Sequence, residues 1–117
     1  MAKRLCGRRW LEFTLFGLQW QVRWAAQNSK VLDHGKTMGL CLYEERVIYI
    51  SAGISSEQMR TTLAHEIQHL IEDHADVDHS HAATGEVSDR WTDQLSRGWL
   101  YLIRGCPELV AIFQAKD

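Results

Sequence analysis

Two histidines four residues apart, with a glutamate directly after the first, form the segment His65-Glu66-Ile67-Gln68-His69. On an α-helix, side chains four positions apart project from one face, so His65 and His69 can present two imidazoles to one metal ion. Neutral imidazole binds zinc well, and a catalytic zinc site keeps three protein ligands and one position for water. Glu66 would then be the general base that takes a proton from the water and returns it to a leaving amine. The spacing predicts the chemistry of a zinc metallopeptidase.

The alternative for this segment is a solvated helix face on which two histidines happen to lie four apart. The neighbours of the motif argue against it, because apolar side chains recur at helical spacing on the other side of the same helix. These are Leu63, Ala64, Ile67 and Leu70. A half-buried helix therefore carries the motif, as a metal site requires.

The third protein ligand is not part of this segment. A histidine ten residues after His65 would mark the metzincin arrangement, but that position is Ala75, so this arrangement is excluded. A carboxylate from a following helix is the alternative, and Glu86 lies at the start of the next predicted helix. Asp89 and His81 are its rivals. The predicted Zn2+ site comprises His65, His69 and Glu86, with Glu66 as the catalytic residue.

Strands precede the motif. From Leu11 to Trp24 apolar and polar residues alternate with the period of a strand, and the phase slips at Phe16-Gly17, where a turn is predicted. Two further β-rich runs, residues 38–43 and 46–51, predict a hairpin. Glu44-Glu45 between them suits a tight turn poorly, which indicates a longer connection.

Helices follow the strands. Ser55 and Gln58 have the spacing of a capping box, so a helix is predicted from about Ser56 to about His74. A second long helix is predicted from Thr84-Gly85 to Gly105, and Pro107 suits the first turn of a last short helix. Strands first and helices afterwards predict an α+β domain, with N-terminal antiparallel strands packed against the motif-bearing helix, a second long helix and a short C-terminal helix.

Composition narrows the class of protein. A chain of 117 residues with 45% hydrophobic residues can form one domain over residues 1–117. The net charge of -2 gives no reason to expect nucleic acid or an anionic membrane as partner, and the basic start with Lys3, Arg4, Arg8 and Arg9 is interpreted as a solvated segment. Three unpaired cysteines, no secretory signal and no membrane-spanning stretch predict a cytoplasmic protein.

The segment Thr62-Leu63-Ala64-His65-Glu66-Ile67-Gln68-His69-Leu70, with Arg60 and the preceding strand Tyr49-Ile50-Ser51, resembles the core of the ImmA/IrrE-type metallopeptidases. The likeness covers about half of the chain and implies a zincin-like fold with bound zinc. It also implies an acidic third ligand at the start of the following helix, where Glu86-Val87-Ser88-Asp89 is similar. Val87 replaces the family's small residue, and Arg90-Trp91 replaces its usual Phe-Ala.

Members of that family, encoded by bacteria, phages and mobile elements, cleave repressor-like regulators. The resemblance therefore implies hydrolysis of a peptide bond in a specific intracellular protein. A non-catalytic, zinc-stabilised binding or regulatory protein that occupies its partner is the second hypothesis, and nucleic-acid binding through the N-terminal arginines ranks below both. A peptide substrate is expected to add to the edge of the strand from Arg46 to Ser51.

Overall fold

The computed structural model describes residues 4–74 and 85–116, and of residues 85–94 it describes the backbone alone. The elements are β1 (Arg9–Leu15), β2 (Leu18–Ala25), β3 (Gly39–Leu42), β4 (Val47–Ser51), α1 (Ser56–His74), α2 (Gly85–Gly105) and α3 (Pro107–Gln114). A sheet built from the N-terminal strands is followed by helices, so the predicted α+β class is confirmed.

The first hairpin turns at Phe16-Gly17, as predicted. β1 pairs antiparallel with β2, with Phe13 opposite Trp20 and Leu15 opposite Leu18. The two turn residues both have positive φ, 50° for Phe16 and 79° for Gly17. Two such residues form the kind of tight turn whose twist matches that of paired strands, and glycine takes the second position without strain.

The second hairpin has a longer connection, also as expected. β3 pairs antiparallel with β4, and the loop from Tyr43 to Arg46 is closed by the Arg46 N–H, which donates to the Tyr43 carbonyl at 3.3 Å. Arg46 has a φ of 55°. Glu44 and Glu45 therefore sit in a four-residue turn, where neither is required to adopt positive φ.

The four strands are arranged in the order β1-β2-β4-β3. Both hairpins are antiparallel, whereas the central strands β2 and β4 pair in parallel, with Val22 opposite Ile48 and Trp24 opposite Ile50. The sheet is therefore mixed, a pairing that the predicted antiparallel strands do not include. Because β4 is hydrogen-bonded on both sides, the expectation that a substrate adds to the strand from Arg46 to Ser51 is wrong. Of the described strands, β3 is the one at this edge of the sheet.

The core lies between one face of the sheet and the three helices. Alternation along the strands directs every second side chain to this face, and the helices supply apolar side chains at helical spacing. The buried set includes Leu11, Phe13, Val22, Ile48 and Ile50 from the sheet and Leu63, Ile67, Ile71, Leu102 and Leu109 from the helices. The predicted inner stripe of α1 is thus buried, which turns the opposite side of this helix, with His65, outward.

Both halves of the predicted capping box form at the start of α1. The Ser55 hydroxyl accepts the Gln58 N–H at 3.1 Å, and the Ser55 N–H donates to the Gln58 side-chain oxygen at 3.2 Å. These bonds satisfy two donors that a helix start leaves without partners, and they fix where α1 begins relative to β4. In the described part of the chain, no helix has the length and apolarity needed to cross a membrane.

Candidate metal centre

His65 and His69 converge on one point above α1. Their Nε2 atoms lie 2.9 Å apart, and the rings are perpendicular with centroids 4.5 Å apart. Two nitrogens bound at about 2.0–2.1 Å to one tetrahedral zinc ion are about 3.3 Å apart. A small opening of the pair therefore gives both nitrogens ligand distances, so these two residues fit a shared metal ion.

Glu66 lies beside the histidines and is buried, with 9% of its surface exposed. Burial raises the pKa of its carboxyl above the ordinary value, and the neighbouring His69 and His65 act in the opposite direction. A carboxylate with a raised pKa accepts a proton more readily near neutral pH, which is the property that a general base needs. The position predicted to be catalytic is therefore the one buried carboxylate among the described residues.

β3 comes unusually close to α1 at this place. A Cβ added to Gly39 would lie 2.5 Å from the Thr62 methyl group and 3.4 Å from Cγ of Glu66. Only glycine allows such an approach without displacing a neighbour. Gly39 thus sets the distance between the edge strand and the turn of α1 that carries Glu66.

The surroundings of the site are acidic. Burial, with the charges of Glu66 and Asp73, raises the pKa of the Cys41 thiol to about 12. Burial, with Cys41, Asp73, Glu66 and Glu72, raises the pKa of Tyr43 to about 12 as well. The same carboxylates thus act on both side chains near the end of β3, and a negative field of this kind attracts a divalent cation.

Glu72, Gln68 and Trp99 also belong to the site, although the sequence did not single them out for it. Oε2 of Glu72 lies 3.4 Å from Nδ1 of His69, and Oε1 of Glu72 lies 3.4 Å from Nε2 of Gln68. Trp99 on α2 donates its indole N–H to Oε1 of Gln68 at 2.7 Å. The spacing of Glu72, three residues after His69, could have indicated its role. No sequence pattern pairs Trp99 with Gln68, because that contact depends on how α2 crosses α1.

The predicted third ligand lies where side chains are not described. Glu86 and its rival Asp89 belong to the first turns of α2, for which the backbone alone is given, and His81 lies outside the described residues. Among the described residues, no three His, Cys, Asp or Glu side chains are grouped to hold a metal ion. His74, a further candidate by residue type, stacks on Phe16 with centroids 3.7 Å apart and is thereby held at the β1–β2 turn.

A separate basic cavity of about 1050 Å³ lies between the N-terminal segment, the start of α1 and the end of α3. None of His65, Glu66 and His69 lines it. Two of its arginines are already engaged: Arg4 donates to the Ile54 carbonyl and covers the Trp24 ring at 4.7 Å, and Arg9 pairs with Glu12 at 2.5 Å. These intramolecular contacts reduce the charge that the N-terminal arginines can offer to a phosphate backbone.

Comparisons of the chain with protein-family models, with curated proteins and with solved structures found no match. The residues of the site and their geometry are therefore what indicates a function for this chain.

Proposed function

We propose that the chain is a zinc metallopeptidase that hydrolyses a peptide bond in a specific intracellular protein. Its metal ligands are His65, His69 and Glu86, and its general base is Glu66. The observation that carries the proposal is the convergence of the two imidazole Nε2 atoms, 2.9 Å apart, in the middle of α1 and next to a buried carboxylate. The resemblance of residues 62–70 to the ImmA/IrrE-type core supports the same assignment.

The zinc ion and the Glu66 side chain would contribute different parts of the reaction. When bound, zinc supplies a Lewis acid that polarises the scissile carbonyl group and acidifies water. The Glu66 carboxylate takes a proton from the attacking water as the new C–O bond forms. It returns that proton to the amide nitrogen as the C–N bond breaks, so that the amine leaves neutral.

The free edge of β3 provides a place for the substrate. Among the described residues β3 is the edge strand of the sheet, and no described strand pairs with the side of β3 opposite β4, where an extended peptide could add. The contact of Gly39 with Thr62 and Glu66 holds this edge against the motif-bearing turn of α1. A peptide added there would run past the general base, which supports a peptide substrate over a small molecule.

Metal content and cleavage in matched variants test the proposal. Zinc per chain is measured by elemental analysis for wild type, His65→Ala, Glu86→Ala and Glu66→Gln, and cleavage of lysate proteins is followed by mass spectrometry. We expect about one zinc per chain in wild type, loss of zinc in the two ligand variants, and retained zinc without cleavage in Glu66→Gln. His34→Ala and Glu45→Ala change exposed residues of the same types and should leave both properties intact.

The outcomes separate the two hypotheses. Wild type that holds zinc but cleaves nothing supports the zinc-stabilised binding protein instead of the peptidase. Wild type without zinc refutes both. If Glu86→Ala retains zinc while Asp89→Ala or His81→Ala loses it, the peptidase stands with a different third ligand.

A further inference from the structure

Three side chains connect α2 to the histidine pair through polar contacts. Trp99 donates its indole N–H to Oε1 of Gln68 at 2.7 Å, and Nε2 of Gln68 lies 3.4 Å from Oε1 of Glu72. The other oxygen of Glu72 lies 3.4 Å from Nδ1 of His69. We call this series of contacts, Trp99–Gln68–Glu72–His69, the indole relay.

The donors and acceptors along the indole relay can be assigned starting from Trp99. An indole N–H can only donate, so the atom of Gln68 that faces Trp99 must be the carbonyl oxygen. The amide nitrogen of Gln68 then points to Glu72 as a donor, and the carboxylate of Glu72 can only accept. The remaining carboxylate oxygen lies 3.4 Å from Nδ1 of His69, where it can only accept, so its position favours a proton on Nδ1 of the imidazole.

This tautomer has a consequence at the other side of the ring. With its proton on Nδ1, His69 presents the lone pair of Nε2 towards Nε2 of His65, which is the shared point of the histidine pair. A metal-binding histidine needs an unprotonated nitrogen at that position, and its second nitrogen is usually held by a carboxylate or carbonyl.

The crossing of the two helices holds the relay in place. Gly98 precedes Trp99, and a Cβ on Gly98 would lie 2.6 Å from Cγ2 of Ile71, which precedes Glu72. Such a close approach leaves little freedom for α2 to slide on α1. Trp99 also makes an edge contact with Phe113 of α3, with centroids 6.4 Å apart. The indole N–H is therefore presented to Gln68 by packed elements.

We propose that Trp99 and Glu72 are positioning residues that fix His69 in the Nδ1–H tautomer through the indole relay and thereby couple the packing of α2 to metal affinity. The affinity part of this proposal rests on the proposed zinc site, whereas the tautomer part does not. A shift of α2 away from α1 would then weaken metal binding through His69, in addition to any displacement of the proposed ligand Glu86 on α2.

Nitrogen NMR of the histidine rings and zinc affinity test the relay. The full chain is labelled with 15N, treated with a chelator and measured at about pH 8.5, above the ordinary histidine pKa of about 6.5. Zinc dissociation constants are obtained by competition with a chromophoric chelator. The variants are Trp99→Phe, which keeps the ring and removes the donor, Gln68→Met, which interrupts the relay on α1, and Glu72→Gln.

The tryptophan and glutamate variants each have a matched control. Trp10→Phe removes an indole N–H that has no hydrogen-bond partner among the described residues, and Glu57→Gln neutralises an exposed carboxylate on α1 outside the relay. In wild type we expect the proton of His69 on Nδ1. All three relay variants should increase the Nε2–H fraction, and Glu72→Gln should weaken zinc binding about 10- to 100-fold. Trp99→Phe should add little to Glu72→Gln, because both interrupt one series of contacts.

Unchanged His69 tautomers and zinc constants within twofold in Trp99→Phe and Gln68→Met would overturn the relay. Additive effects of Trp99→Phe and Glu72→Gln would overturn it too. Wild type that binds no zinc would remove the proposed function, but the His69 tautomer in the same samples would still decide whether the relay exists.

Discussion

Cys41 is a residue whose chemistry depends on the candidate site. It lies opposite Ile48 in the β3–β4 pairing, so its thiol is on the face of the sheet that the helices cover. Burial and the charges of Glu66 and Asp73 together disfavour the thiolate, which raises the pKa to about 12. Since the thiolate is the reactive form, Cys41 should be inert at neutral pH.

This inertness can be measured by alkylation with iodoacetamide and peptide mapping. At about pH 8, Cys41 should react roughly 10- to 100-fold more slowly than a thiol of ordinary pKa in an unstructured peptide, after allowance for the higher nucleophilicity of a more basic thiolate. Because its pKa lies far above this range, its rate should rise about tenfold per pH unit between about pH 7 and 9. Cys41 labelling at the peptide's rate in the folded protein would contradict the burial of the thiol, and the urea-unfolded chain serves as the control.

At the level of elements, the approach of β3 to α1 depends on one missing side chain. Gly39→Ala would place a methyl group 2.5 Å from the Thr62 methyl, so the edge strand, the motif-bearing turn of α1 or the Thr62 side chain must shift. Overpacking of this kind lowers the free energy of unfolding by about 1–3 kcal/mol. Urea denaturation measures the loss.

Gly105→Ala is the matched control for this substitution, because nothing lies within 4 Å of the added Cβ. It should change the free energy of unfolding by less than about 1 kcal/mol. Equal midpoints for Gly39→Ala and wild type would mean that β3 does not press on α1 as described.

Local elements could be predicted from the sequence because local chemistry determines them. The capping box at Ser55 and Gln58 fixes the start of α1, and Phe16-Gly17 fixes the first turn. The parallel pairing of β2 with β4 could not be predicted, since alternation says which face a side chain takes and nothing about which strand lies alongside. Because of that pairing, β4 lies inside the sheet and β3 lies at its edge. The strand proposed to receive the substrate is therefore β3 and not β4.

The candidate site, too, could be predicted from the sequence only in part. His65, Glu66 and His69 follow from helical spacing, and the structure brings them together on α1. The contact between Trp99 and Gln68 depends on the angle and depth at which two helices cross, which no local pattern encodes. The hydrogen bond that the indole N–H of Trp99 donates to Gln68 can be seen only in the folded chain.

For the whole molecule, a metal ion at the proposed site would tie α1 to the first turn of α2. A ligand that binds only the folded chain stabilises it by about 2.7 kcal/mol at a free concentration of about 100 times Kd. In a domain of this size, that corresponds to a rise of the melting temperature by about 10 °C. Differential scanning fluorimetry with increasing zinc should show the rise, and a chelator should reverse it.

The double variant His65→Ala/His69→Ala provides the comparison. The double variant should melt at the same temperature with and without zinc, whereas the melting temperature of wild type should rise when zinc is added. A zinc-dependent rise of the same size in the double variant would place the stabilising ion elsewhere on the chain. A wild-type melting temperature that does not change with zinc would contradict metal binding at the histidine pair.

The parallel pairing of β2 with β4 also has a consequence for folding kinetics. Each hairpin closes over a short turn and can form early, but the β2–β4 ladder joins strands separated by the whole segment between Ala25 and Val47. Contacts so distant in sequence carry a larger loop-closure entropy and form late. α1 follows β4 directly, and Glu66 is buried only once β3, β4 and α1 have come together. The chain therefore acquires its candidate general base in a late step of folding, so partly folded molecules would lack it.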